Sequence, residues 1–93
     1  MTLSELQKMF NLTSMSGEYA LDPFKYYWAL NNFELIKDNT ILESTTGWGY
    51  SIEAAKQHFA NKISNQQARI SIPVKSQNRW YVVVTINLPT IEV

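Results

Sequence analysis

The apolar positions change their spacing several times along the chain, and each change marks an element. Leu3, Leu6, Met9 and Phe10 recur at helical intervals behind Thr2, whose hydroxyl is placed to cap while Glu5 reaches back to it. A short N-terminal helix ending near Asn11 is expected. Thr13-Ser14-Met15-Ser16-Gly17 is polar and turn-rich, and Asp22-Pro23 is a second breaker, so residues 12–24 read as a segment lying over the surface.

From Lys25 to Ile36 aromatic and branched residues are dense; Asp38-Asn39 then offers a two-residue turn, and a strand-like pattern resumes from Thr40 to Thr45. This predicts a β-hairpin. On its first strand Tyr26, Trp28 and Leu30 share one face, and Tyr27 and Ala29 the other. Gly47-Trp48-Gly49 follows as a glycine-aromatic loop running into a second helix, about Ile52 to Ser64. Ser51 is its N-cap, Glu53 sits in the first turn where the dipole favours an anion, and Ile52, Ala55, Phe59 and Ile63 form its apolar stripe.

After Asn65-Gln66-Gln67, period-two alternation sets Ala68, Ile70, Ile72 and Val74 against Arg69, Ser71 and Lys75. A turn at Ser76-Gln77-Asn78 and a strand carrying Trp80, Val82, Val84 and Ile86 complete a second hairpin. Pro73 confines its own strand to a sheet edge or a bulge. Together these elements describe one α+β domain over residues 1–93: an antiparallel sheet of about four strands covered by an amphipathic helix, with a short N-terminal helix.

Composition narrows what this domain does. Ninety-three residues suit one core, and 45% apolar with 13% aromatic residues exceeds what a disordered chain carries. Eight basic residues cancel eight acidic ones, so no net field steers the chain toward phosphate backbones or anionic lipid. The absence of cysteine removes disulfides, thiolate nucleophiles and Cys-type zinc sites, and points to a reducing cytoplasm. Met1-Thr2-Leu3-Ser4-Glu5-Leu6 lacks the charged and apolar blocks of a leader, and no apolar run approaches the roughly 18 residues of a membrane helix.

Candidate chemistry is sparse. Gly47-Trp48-Gly49 before a helix start has the flexibility of an anion cradle, but lacks the third glycine of a dinucleotide site and the lysine of a P-loop, so a structural turn is expected. His58, the one histidine, lies a position off the helix stripe as a boundary residue; its spacing from Glu53 and Glu34 describes no catalytic or metal-binding cluster. No cofactor, metal or catalytic residue is expected. Of the aromatics Tyr26, Tyr27, Trp28, Trp48, Tyr50, Trp80 and Tyr81, those facing away from the helix are free to anchor a partner, and Tyr27, Trp48, Tyr50 and Tyr81 are the expected partner-binding residues. With only Lys25, Lys37, Arg69, Lys75 and Arg79 near the strands, base stacking lacks a continuous basic groove, which favours a protein partner over nucleic acid. The terminal Leu88-Pro89-Thr90-Ile91-Glu92-Val93 reads as a strand-adding tail or a frayed end. An exposed strand edge near Arg69 to Val74 invites a homodimer unless Pro73 and Lys75 block it.

The segment Gly49-Tyr50-Ser51-Ile52-Glu53-Ala54-Ala55 resembles the Gly-x-Ser/Thr-x-Glu-x-Ala signature of HicB-like domains and of small phage and prophage proteins from Gram-positive bacteria, matching at Gly49, Ser51, Ile52, Glu53 and Ala55. The resemblance implies a partial double-stranded-RNA-binding fold, a sheet covered by a helix. Two departures count against toxin neutralisation and operator binding: the proline-glycine segment that precedes the motif in HicB proteins is missing, and no helix-turn-helix or ribbon-helix-helix module is added. A dsRNA-binding helix start also carries basic residues where this one has Glu53. The resulting expectation is a non-enzymatic, phage-encoded accessory protein that binds a host or phage protein in the bacterial cytoplasm, of the anti-CRISPR kind that inhibits host defence. The alternative is a HicB-like antitoxin or RNA-binding module.

Overall fold

In the computed structural model, which describes residues 1–74 and 81–93, nine elements follow one another. They are α1 (Leu3–Phe10), β1 (Ser14–Tyr19), β2 (Asp22–Leu30), β3 (Phe33–Lys37), β4 (Ile41–Glu43), β5 (Gly47–Gly49), α2 (Ile52–Ile63), β6 (Gln67–Pro73) and β7 (Tyr81–Asn87). The α+β class is as the pattern predicts, but the strands form two antiparallel sheets: a three-stranded sheet in the order β1-β2-β5 and a four-stranded sheet in the order β4-β3-β6-β7.

Local chemistry accounts for most of the boundaries. Thr2 accepts from the Glu5 N–H at 3.1 Å while its own N–H donates to Glu5 Oε1 at 3.0 Å, closing a capping box on α1. Asn11 ends α1 in the left-handed region at φ 54°, and Asn65 follows α2 at φ 61°. Asparagine tolerates that region better than other side chains do. Ser51 caps α2 by accepting from the Ala54 N–H at 3.1 Å. Asp38 and Asn39 both have positive φ, as a type I′ turn requires, and the Thr40 N–H closes the turn onto the Lys37 carbonyl at 3.1 Å.

The first hairpin has the expected turn and unexpected arms. Leu35 faces Glu43 in the four-stranded sheet, whereas Trp28 faces Gly47 in the other. One arm therefore runs from β2 into β3 and the other from β4 into β5, and both cross from sheet to sheet. The crossing falls at Asn31-Asn32, where Asn32 has φ 59° and breaks a run that the sequence pattern treats as one strand. Its main-chain groups stay paired: the Asn31 N–H donates to the Thr13 carbonyl and the Ser71 N–H to the Asn32 carbonyl.

Two segments expected as loops are strands. Residues 14–19, expected on the surface, pair with β2 from Ser14↔Leu30 to Glu18↔Tyr26, after which the register shifts and Tyr19 faces Asp22. Pro23 lies in the part of β2 that this shift leaves without a partner on β1, so its missing N–H breaks no bond there. Gly47-Trp48-Gly49 pairs with Trp28, Tyr27 and Tyr26 rather than forming a turn. The second hairpin has the expected strands, with its turn at Ser76-Gln77-Asn78 and Trp80 outside the described residues. β6 lies between β3 and β7, but β3 reaches only Ala68–Ile70, so Pro73, which closes β6 opposite Tyr81, stands at a local edge as expected. Among the described residues the strands that are edges over their whole length are β4 and β7, and Arg69 and Ile70 are paired on both sides. The C-terminal stretch neither frays nor adds a strand to a sheet. Leu88 and Ile91 are buried, Ile91 N–H donates to Ser64 Oγ at 2.8 Å, and Thr2 and Glu92 form a parallel bridge.

One apolar core joins both sheets. Phe59, fully buried, meets Trp28 of β2 edge-on at a centroid distance of 5.0 Å and Phe33 of β3 at 5.9 Å. Around it lie Leu3 and Leu6 of α1, Ala55 and Ile63 of α2, Leu35, Ala68 and Ile70. No helix among the described residues is long and apolar enough to cross a membrane.

The glycines of β5 explain how α2 reaches that core. A Cβ on Gly47 would collide with the Ala55 carbonyl oxygen and stand 2.6 Å from the Phe59 nitrogen; one on Gly49 would stand 2.6 Å from Ala54 Cβ. Neither glycine has a positive φ, so space alone imposes them. We expect Gly47→Ala to destabilise the protein by about 3 kcal/mol through overpacking. Gly17→Ala, whose Cβ would make an ordinary 3.5 Å contact with the Tyr27 ring, should change stability by no more than about 0.5 kcal/mol, with urea denaturation of both separating space from conformation.

The α1 cap gives a pH signature. Hydrogen bonds with Thr2, the backbone one first, hold the Glu5 carboxyl below its ordinary value. A depressed pKa adds stability that is complete above the unfolded value and vanishes as pH falls through the folded one. The stability gap between the native chain and Glu5→Gln should therefore narrow on acidification through the carboxylate range, as thermal melts across that range would show.

Candidate functional site

Because the missing Cβ atoms of Gly47 and Gly49 point at α2, strand alternation sends the Trp48 side chain to the opposite face of the sheet. Tyr27 lies directly across from Trp48, and their rings sit 6.1 Å apart. Tyr19 arrives from β1 on the far side of β2 and meets the Trp48 ring edge-on, at 4.9 Å and 74°. Tyr19 stands two residues beyond Gly17, which faces Tyr27, so alternation brings it to the same face, just past the register shift. Lys25 places its ammonium 5.4 Å from the Trp48 ring centroid, within cation–π range. Gly17, opposite Tyr27, leaves room for the tyrosine ring to lie over the strand.

The result is an aromatic face of Tyr19, Tyr27 and Trp48, half-buried and turned away from the helix, with one cation on it. Tyr50 follows β5 directly and is 82% exposed. At the turn end of the same sheet Leu21 and Phe24 are 83% and 76% exposed, exposures with no structural role in this fold.

Of the four expected partner-binding residues, Tyr27 and Trp48 are in mutual contact and Tyr50 borders them. Tyr81 opens β7 in the other sheet, opposite Pro73, and belongs to a separate surface. Sequence reasoning missed Tyr19, because its segment reads as loop, and missed Leu21 for the same reason. A usable signal was there in Tyr19, seven residues ahead of Tyr26, with turn-forming Asp22-Pro23 between them.

His58 has a structural task. Its Nδ1 accepts the Trp48 N–H at 2.9 Å, and Lys62 Nζ donates to the Thr46 carbonyl at 3.0 Å, so α2 grips β5 along the strand's open side. Glu53 lies in the first turn of α2 and Glu34 on β3, and no group of three potential metal ligands occurs among the described residues.

Where the hairpin arms cross between sheets, residues 29–34 on one arm span the same gap as 44–46 on the other, and a cleft of about 300 Å³ opens. Asn31, Asn32, Glu34, Ser44, Thr45 and Ser71 contribute its polar lining. Among the described residues Thr45 Oγ1, buried there, has no hydrogen-bond partner, and neither has the buried Arg69 Nε of β6. Such groups carry a desolvation cost with no return inside the protein.

Compared with protein-family models, with curated proteins and with solved structures, the chain matches none. Its geometry is the basis for a functional reading.

Removing the His58 ring should leave the Trp48 N–H without its protein acceptor at the edge of β5. His58→Ala is expected to lower stability by about 1 kcal/mol and to change Trp48 fluorescence more than a matched surface substitution such as Gln57→Ala.

Proposed function

We propose that this chain is a non-enzymatic protein-recognition module that docks through the aromatic face of its three-stranded sheet. The carrying observation is the Tyr19–Trp48–Tyr27 cluster with Lys25 over it, on the face that the chain's own helix does not cover. Tyrosine and tryptophan on a rigid sheet supply large contact area with few torsions to freeze, the composition of interface hot spots. Lys25 favours a carboxylate on the partner facing it, and exposed Leu21 and Tyr50, each two residues beyond Tyr19 and Trp48 respectively, extend the contact. The zero net charge and single nearby lysine favour protein over nucleic acid. Within this proposal, the finer reading of a phage accessory protein rests on the Gly49–Ala55 resemblance, and the inhibition of a host defence system is proposed beside it from the small size, neutral charge and spare aromatics rather than from any motif.

Capture from bacterial lysate, with and without nuclease treatment, tests the module and its face together. We expect a nuclease-resistant partner retained by the native chain and lost with Tyr27→Ala or Trp48→Ala, while Tyr81→Ala retains it. The affinity measured with the purified partner should fall by about 2 kcal/mol for either loss variant. Retention that disappears on nuclease treatment, or survives both substitutions, would refute the reading.

A further inference from the structure

The two sheets end in four edges, β1, β5, β4 and β7, and three of them are blunted. β5 is gripped by α2 through His58 and Lys62. β4 is three residues long. β1 carries Glu18 and a register shift at its end. Short strands, charges, bulges and covering elements are the devices by which proteins protect their edges.

Among the described residues β7 has none of these. Tyr81-Val82-Val83-Val84-Thr85-Ile86-Asn87 is seven residues long, uncharged, free of proline and glycine, and β-branched from Val82 to Ile86. Among the described residues no strand pairs with it on the side away from β6. Tyr81, Val82 and Val83 are 52%, 41% and 46% exposed, and because strand faces alternate, both faces of the sheet are open at this edge.

We propose that β7 pairs antiparallel with β7 of a second copy, joining two four-stranded sheets into one of eight strands. A two-fold axis requires one residue to face its own copy, and a register centred on Val84 engages the whole strand. Val82 then stands opposite Ile86 on the core side, and Val83 opposite Thr85 on the other. Each of these is a pairing of β-branched side chains, which sheets favour. A strand without charge meets itself with no like-charge repulsion, whereas a charged foreign strand would set its charges against valines. The pairing is isologous and consumes the edge, so assembly stops at two. This surface is distinct from the aromatic face, and either could fail without the other.

Sedimentation equilibrium of the full chain across the micromolar range decides the matter. The native protein should dimerise reversibly. Val83→Lys, on an exposed position, should weaken the dimer by about tenfold or more, since the symmetry places two new charges in the interface. Leu42→Lys, on the exposed edge strand β4, should leave the dimer unchanged. Far-UV circular dichroism checks that each variant is folded, and Thr85→Lys serves if Val83→Lys is not. A native chain that stays monomeric throughout, or a dimer that survives both Val83→Lys and Thr85→Lys, overturns the proposal.

Discussion

The approach of α2 to β5 with no side chain between them is the constraint on which the rest of this structure depends. A helix normally rests on a sheet held off by the side chains of both. Here Gly47 and Gly49 present bare Cα atoms, and the backbone of α2 at Ala54, Ala55 and Phe59 fills the space where their Cβ atoms would stand. That depth is what carries Phe59 between Trp28 of one sheet and Phe33 of the other. A larger residue at either glycine would lift the helix, withdraw Phe59 and divide one core into two, each too small for a chain of this length.

The same constraint shapes the surface. Alternation along a three-residue strand means that two inward glycines impose one outward residue, and that residue is Trp48. Its N–H is held by His58 and its ring by Tyr19, Tyr27 and Lys25, so it is fixed from both sides of the sheet. Side chains ordered before a partner arrives lose less entropy on binding. The packing that closes the core thus also prepares the aromatic face.

Elements built by local chemistry were legible in the sequence. The Thr2–Glu5 box, the Ser51 cap, the Asp38-Asn39 turn and the alternation of β6 each depend on residues within a few positions of one another. β1 was not legible, because Ser14-Met15-Ser16-Gly17 has little strand preference of its own and is held by pairing with β2 and by the Tyr27 ring beside Gly17. β5 was read as a loop since its glycines are chosen by a helix that comes later in the chain. The break at Asn31-Asn32 lies inside an apolar run whose period does not change; only the tolerance of asparagine for positive φ hints at it. For the candidate site, the period-two rule placed Tyr27 opposite the buried Trp28, but could not tell that Tyr81 would join a different sheet or that Tyr19 would cross over β2.

Splitting the strands between two sheets has a consequence for recognition. One continuous seven-stranded sheet would have left two edges. Among the described residues, the bend at Asn31-Asn32 and at Ser44–Thr46 yields instead two faces at different orientations and four edges, and leaves Thr45 Oγ1 without a partner where the arms part. That unmet hydroxyl works against stability, so the bend must be favoured by something stronger. Phe59 supplies it: a flat sheet would present only one of Trp28 and Phe33 to a single helical side chain, whereas the bent one wraps both rings around it. The core selects the bend, and the bend in turn separates an aromatic face on one sheet from an uncharged open edge on the other.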